Sequence, residues 1–422
     1  MLRIDLPYGD GVLSFAVDEN VPVSVIRPRD VAPAADAAEV VDNALAGPIG
    51  SPQLEALVRP ADTVAVIVDD TTRQTPAHRI LPPVLEALHA AGVARNAVRI
   101  VMALGTHRPM TATEIRQKVG AAVAEAYPIR NTSCQNAEET VYLGRSAAGI
   151  PAWVHREVVS ADVRIGIGMI APHMDAGFSG GGKIILPGVC GSATVEAFHR
   201  RQATIAGNQL GRSDAPLRRD LEAFVAERIG LDFIVNAVLD SRGRLYRCVA
   251  GHFVEAHRKG VAFAREVYGA PVSGRYRVVV ANAYPAQIDL WQSTKAIAAG
   301  EWMTADGGTL ILVARCPEGN ATHPRIAEYI GREPASLVRS LEAGNAEDPV
   351  ACALAVPLSR IRQRIELAVV SSGLTPDVAD RMGAAIYATV EEALAAAWAR
   401  HGPDAAVGVL THGGVTLPLV DG

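Results

Sequence analysis

From residue 171 to residue 199 the chain reads APHMDAGFSGGGKIILPGVCGSATVEAFH, a stretch dense in usable chemistry. His173 closes an apolar run, Lys183 follows the glycines Gly180, Gly181 and Gly182, and His199 stands on the segment that reads as the next helix. Two imidazoles and one amine are gathered around a loop nearly free of side chains. Such a loop lets backbone N–H groups approach a ligand and form an anion nest. A nucleotide P-loop is one alternative, since the residues from Gly177 fit G-x-x-x-x-G-K. However, Ile184 stands where magnesium binding requires Ser or Thr. A plain glycine turn with a solvated lysine is the other alternative.

More reactive side chains lie elsewhere. Asp69, Asp70 and Arg73 follow one apolar run, and Thr106, His107 and Arg108 follow another. Gln292 and Lys295 are spaced to share a helix face, with Trp291 beside them. Lysine occurs only at 118, 183, 259 and 295, so arginine carries nearly all the positive charge. A lysine in such a chain is notable for its amine, which can lose its proton and attack, as a guanidinium cannot.

These residues need elements to hold them. TVAVIVDD (63–70), AVRIVMALG (97–105) and DVRIGIGMIA (162–171) are short continuous apolar runs separated by helical stretches, one of which starts at Thr111 and Thr113. This alternation predicts a mostly parallel sheet covered by helices on both faces. Ligands of such sheets sit at the carboxyl ends of the strands. There the three runs end in Asp70 with Arg73, in His107 and in His173, which converge if the strands are neighbours. Residues 2–17 read as a hairpin about PYGDG, and GAPVSG (269–274) reads as a linker. Beyond it RYRVVVANA, GGTLILVARC, ELAVVSS and AAVGVLTHGG alternate with helical stretches. The expected architecture is two α/β domains. The larger, N-terminal domain covers 1–270 with the segment 403–422 returning to it, and the smaller covers 275–400. The active site lies in the cleft between them.

Composition narrows the classes. The chain has 422 residues, 49% of them hydrophobic, and a net charge of −5 with no large basic patch, which argues against nucleic acid as a partner. No apolar run reaches the ~18 residues of a membrane span. The start, MLRIDLPYGDGVLSF, has neither the basic region nor the continuous apolar stretch of a signal peptide. The cysteines at 134, 190, 248, 316 and 352 form no C-x-x-C, so no zinc spacing is present, and their odd number suits a reducing, cytoplasmic setting.

DDTTR at 69–73, GTHRPMT at 105–111, the block from His173 to His199, and WQSTKA at 291–296 occur together in this order. On these motifs the chain resembles the lactate racemase family over essentially its whole length. The resemblance implies a nickel-pincer nucleotide, a pyridinium mononucleotide with thioamide and thiocarboxylate arms. It would be linked covalently at Lys183, with Asp70, Gly180, Gly181 and Gly182 lining its site. Ni(II) would take His199 as its remaining ligand, a donor suited to a planar site. The implied reaction takes hydride from C2 of a 2-hydroxy acid and returns it to either face. The hydroxyl proton then needs a base on each side, and His107 and His173 fill those places. Arg73, Gln292 and Lys295 would bind the substrate carboxylate and hydroxyl, and the two domains would close over them. The implied enzyme is a nickel-dependent isomerase, a racemase or epimerase that depends on cofactor-biosynthesis enzymes. Its oligomeric state is not fixed by these residues.

One departure concerns the substrate. Where the family's lactate enzymes carry a tryptophan, this chain has EDPVACAL (347–354), with Pro349 near that place. Loss of that wall favours a larger or more polar acid, such as an aryl-lactate, a malate-like diacid or a sugar acid. Two alternatives stay open: a dehydrogenase or dehydratase using the same hydride step, and a phosphate-ligand binding protein without catalysis.

Overall fold

The three apolar runs become adjacent strands. In the computed structural model, which describes residues 1–320 and 322–420, one six-stranded sheet has the order Leu245–Gly251, Phe233–Leu239, Val163–Met169, Val64–Asp69, Val98–Ala103, Ile129–Asn131. All neighbours run parallel except the pair Leu245–Gly251 and Phe233–Leu239. Helices cover both faces, so Val64 to Val68 are buried throughout and need no polar alternation. Asp69 pairs with Ala103 and Val68 with Ile167, so these strands end level with one another. The segments that follow them therefore start from one edge.

A second six-stranded sheet is parallel throughout, in the order Ala385–Tyr387, Glu366–Ser371, Thr304–Ala314, Tyr276–Asn282, Val407–Leu410, Val23–Ile26. Two of these strands correct the expected domain limits. Val23–Ile26, expected within 1–270, is the edge strand of the second sheet. The hairpin of Leu2–Tyr8 and Gly11–Val17 goes with it. Its Ile4, Leu6, Phe15 and Val17 share a core with Val278, Val280, Ile311 and Val313. Of the segment 403–422, expected to return to the first domain, Leu417–Val420 does reach Gly269–Val272, but Val407–Leu410 lies in the second sheet between Tyr276–Asn282 and Val23–Ile26. Residues 421–422 of that segment lie outside the described residues. A four-residue strand paired to a distant segment leaves little periodicity to read.

The stretch expected as a linker is also structured. Gly269–Val272 pairs in parallel with Leu417–Val420, and Ala270 and Val272 are buried. This small ribbon joins the two halves. Among the described residues no helix is long and apolar enough to cross a membrane. All five cysteines are free thiols, and only Cys248 is not buried.

Candidate active site

A single cavity opens where the first sheet's strand ends face the helix Leu290–Met303 of the second domain. Asp70, Arg73, His107, His173, Lys183 and His199 line it from one side, and Gln292 and Lys295 from the other. The helix is held at its start by Asp289, whose side chain accepts from the backbone N–H of Gln292 at 2.6 Å.

His107 is oriented at both ring nitrogens. Its Nδ1 lies 2.5 Å from Asp70 Oδ2, and its Nε2 lies 2.9 Å from the Gln292 side-chain nitrogen. The Gln292 oxygen accepts from Lys295 Nζ at 2.6 Å and from Arg73 Nη1 at 3.3 Å. Those two cations fix the amide with its NH₂ toward the imidazole. His107 therefore carries its proton on Nδ1, donates it to Asp70, and presents the Nε2 lone pair. Burial alone would raise the Asp70 carboxyl, but His107 and Arg73 together hold it far below the usual range. It stays an anion that can support a charged imidazole.

His173 has another setting. Its Nδ1 accepts from the backbone N–H of Asp175 at 3.2 Å, and its Nε2 faces Lys183 Nζ at 2.8 Å. The nearest Asp175 carboxylate oxygen stands 3.7 Å from Nδ1, beyond hydrogen-bond distance. Burial, followed by the charges of Lys183, Lys295 and Arg73, pushes the imidazole well below its ordinary value. Lys183 is itself pushed down to about 7, first by burial and then by Arg73. Its amine is thus an acceptor and a nucleophile near neutrality. Lys295 is lowered well below the ordinary amine range, first by burial and then by Arg73 and Lys183.

The glycine loop is held differently from the expected anion nest. The N–H groups of Ser179, Gly181 and Lys183 donate to Ala171 O, the Asn236 side chain and Gly180 O. They have protein acceptors and are not presented to a ligand. The helix of a P-loop is missing as well: a short 3₁₀ turn, Gly181–Ile184, follows, and the next α-helix begins only at Ser192. Gly180 and Gly181 line the cavity. At Gly180, φ is +76° and a Cβ would meet Asn236 at 2.7 Å, so only glycine fits. Gly182, expected beside them, faces away: its missing Cβ points at Leu221 and Val225, and the position serves packing.

His199 lies on the helix Ser192–Ala203, where its Nδ1 donates to Val195 O at 2.8 Å. Burial pushes this imidazole down to about 4. It is thus neutral, with an Nε2 lone pair left for a ligand and its tautomer fixed from behind. Among the described residues no three His, Cys, Asp or Glu side chains cluster to hold a metal. Pro349 is the first residue of the helix Pro349–Arg364 and lies outside this cavity, which Leu354 of that helix does reach. Trp291, stacked on His323 with centroids 4.1 Å apart, also lines the cavity.

Three supporting residues have no signal in sequence spacing. Arg218, fully buried, donates to the carbonyls of Ala176, Phe178 and Gly180 and so holds the glycine loop. Asn236 receives the Gly181 N–H at 2.8 Å. Lys118 pairs with Asp69 at 2.8 Å and donates to the carbonyls of Asp70 and Arg73, which fixes the DDTTR turn. Only the scarcity of lysine could have pointed to Lys118.

Level strand ends carrying two imidazoles, faced by the helix Leu290–Met303 of a second parallel domain, define a two-domain α/β protein with an interdomain cavity. The chain belongs to the lactate racemase family: residues 8–211 match the lactate racemase N-terminal domain, and residues 275–417 match its C-terminal domain. The lactate racemase of Thermoanaerobacterium thermosaccharolyticum is 31% identical over 327 residues, 76% of each chain. That of Lactiplantibacillus plantarum is 29% identical over 425 residues, covering 98% of this chain and 99% of its own. The structure of the T. thermosaccharolyticum lactate racemase apoprotein superposes with a TM-score of 0.88 at 26% identity, covering 99% of this chain and 100% of that one. A Thermotoga maritima protein shares the fold, with a TM-score of 0.68 at 18% identity over 88% of this chain and 100% of its own.

Proposed function

We propose that this protein is a racemase or epimerase of a lactate-type 2-hydroxy acid that works by reversible hydride transfer with a nickel-pincer nucleotide. The observation that carries this reading is that His107 and His173 line one cavity together with Lys183, His199, Arg73 and Lys295. The named lactate racemases aligned along the chain support the reaction class.

The residues suit the cofactor. Lys183 offers an amine that is partly unprotonated near neutral pH, as covalent attachment requires. His199 offers one preset neutral nitrogen. His199 would hold the nickel, and the remaining donors would come from the nucleotide arms. When bound, the cofactor supplies a place where hydride leaves C2 and from which it returns.

The chain's own residues do the rest. Arg73 and Lys295 hold the substrate carboxylate, and Gln292 aligns the hydroxyl. His107 Nε2 takes the hydroxyl proton, and Asp70 stabilises the resulting imidazolium. His173 serves the other enantiomer from the opposite side. Closure between the domains keeps water from the keto intermediate.

Holo-protein from cells that also make the cofactor should interconvert the enantiomers of at least one 2-hydroxy acid on chiral chromatography, with nickel near one per chain. Deuterium at C2 should remain in the product. Its loss to water would point to proton abstraction and sink the hydride reading. Trp291 and Leu354 line the cavity, so the screen should begin with small aliphatic acids.

A further inference from the structure

We propose that Glu318 and His323 of the second domain are positioning residues for the His107 base, clamping the residue on either side of it. This rests on the reaction proposed above. Three consecutive residues of the first domain, Thr106, His107 and Arg108, each bond to the second. Thr106 Oγ1 meets His323 Nε2 at 2.9 Å, His107 meets Gln292, and Arg108 donates to both Glu318 oxygens, with Nη2 to Oε1 at 2.7 Å and Nε to Oε2 at 3.2 Å.

Each clamp is anchored in its own domain. Arg108 is gripped in a second bidentate pair by Glu114, at 2.7 and 2.9 Å. Glu114 also completes the capping box with Thr111 at the start of the helix Ala112–Val119. His323 Nδ1 bonds Asp348 at 2.9 Å, and Asp348 caps the helix Pro349–Arg364. Glu318 sits on a turn tied to the segment that leads into the Gln292 helix. There Cys316 N donates to Gln287 O, Glu318 N to Ile288 O and Leu290 N to Gly319 O. Cys316 is the one non-glycine residue with positive φ among the described residues, at 47°, a conformation that persists only where the surroundings impose it. The clamps thus register the His107 loop against the same helix that supplies Gln292 and Lys295. A bidentate arginine fork fixes geometry as well as distance, and small misplacement of a base costs rate steeply.

The test uses the cofactor-loaded full chain. Glu318→Gln and Arg108→Gln should each lower kcat about 10-fold with KM within about twofold. The double variant should be little worse than either single one, as for one shared interaction. His323→Leu should behave similarly, with partial rescue by His323→Asn. Hydrogen exchange of the peptide spanning 104–108 should quicken in each variant, while the strands Val64–Asp69 and Val163–Met169 keep wild-type protection. Unchanged exchange at 104–108, additive effects in the double variant, or an unchanged kcat in Glu318→Gln overturns the proposal. If wild-type protein racemises nothing, the reaction assigned above fails, while the exchange measurement still decides whether the clamp exists.

Discussion

The two imidazoles of the cleft are held in opposite ways. His107 has a buried carboxylate on one nitrogen and a preset amide on the other, so its lone pair faces the cavity. His173 has a backbone N–H on one nitrogen and a lysine amine on the other, with no carboxylate in hydrogen-bond range. The cavity-facing nitrogen of His107 is engaged by a neutral amide of the facing helix, and that of His173 by the Lys183 amine. If Lys183 is converted to a neutral linkage, His173 loses both that partner and the largest neighbouring charge that depresses it. On this reading cofactor attachment completes the second base.

The largest expected effect tests whether both sides are needed at all. His107→Ala and His173→Ala should each lower racemisation about 10³-fold, within the range of a lost general base. Nickel content should be unchanged, which metal analysis of the same samples checks. A residue whose removal leaves the rate intact drops out of the mechanism. Asp70→Asn should come next, at about 10²-fold in kcat. The amide can still hold the ring but cannot stabilise its charge, and it invites the wrong tautomer. That effect belongs to the His107 side alone.

What could be read in advance follows the same divide between local and distant causes. Asp70, His107 and His173 were legible because each follows a continuous apolar run, and parallel strands place their ends together. Gln292 and Lys295 were legible from helical spacing, and Lys183 from its rarity and its glycines. Arg218 and Asn236 were not, because their partners lie 38 to 55 positions away along the chain. The anion nest was overstated for the same reason: glycines show that a backbone can approach a ligand, not that the N–H groups of Ser179, Gly181 and Lys183 are free. Gly182 carries no signal to tell it from Gly180 and Gly181, yet it faces a helix. The edge strand Val23–Ile26 was hidden because its partner is nearly the whole chain away.

A smaller effect concerns the amine between the two sides. Lys183 is held at about 7, against 10.5 when free. Its folded value is depressed, so its contribution to stability is fully present above 10.5 and is lost as pH falls through about 7. At neutral pH the cofactor-free chain carries the cost of this buried amine. Lys183→Met should therefore be more stable than wild type by ~4 kcal/mol at about pH 7. The gap should shrink to ~1 kcal/mol near pH 9.5 in urea denaturation. A gap independent of pH would mean that the amine is not held in its neutral form by the fold. The same variant should lack the added cofactor mass on the intact protein.

The smallest expected effect probes the asymmetry most directly. Asp175 stands beside His173 much as Asp70 stands beside His107, and by residue type the two look alike. Burial pushes its carboxyl up to about 6, against the pull of Lys183 and Lys295, and the Gln202 amide donates to it. It still ionises by neutral pH, but its oxygen is too far from Nδ1 to bond. What orients His173 is the Asp175 backbone, which any residue supplies. Asp175→Asn should accordingly change kcat by less than about 5-fold, against the ~10²-fold expected for Asp70→Asn. A loss comparable to that of Asp70→Asn would show that the His173 ring turns during the reaction to take the carboxylate as its partner. The two sides would then work by one device, and the difference between them would belong only to the resting protein.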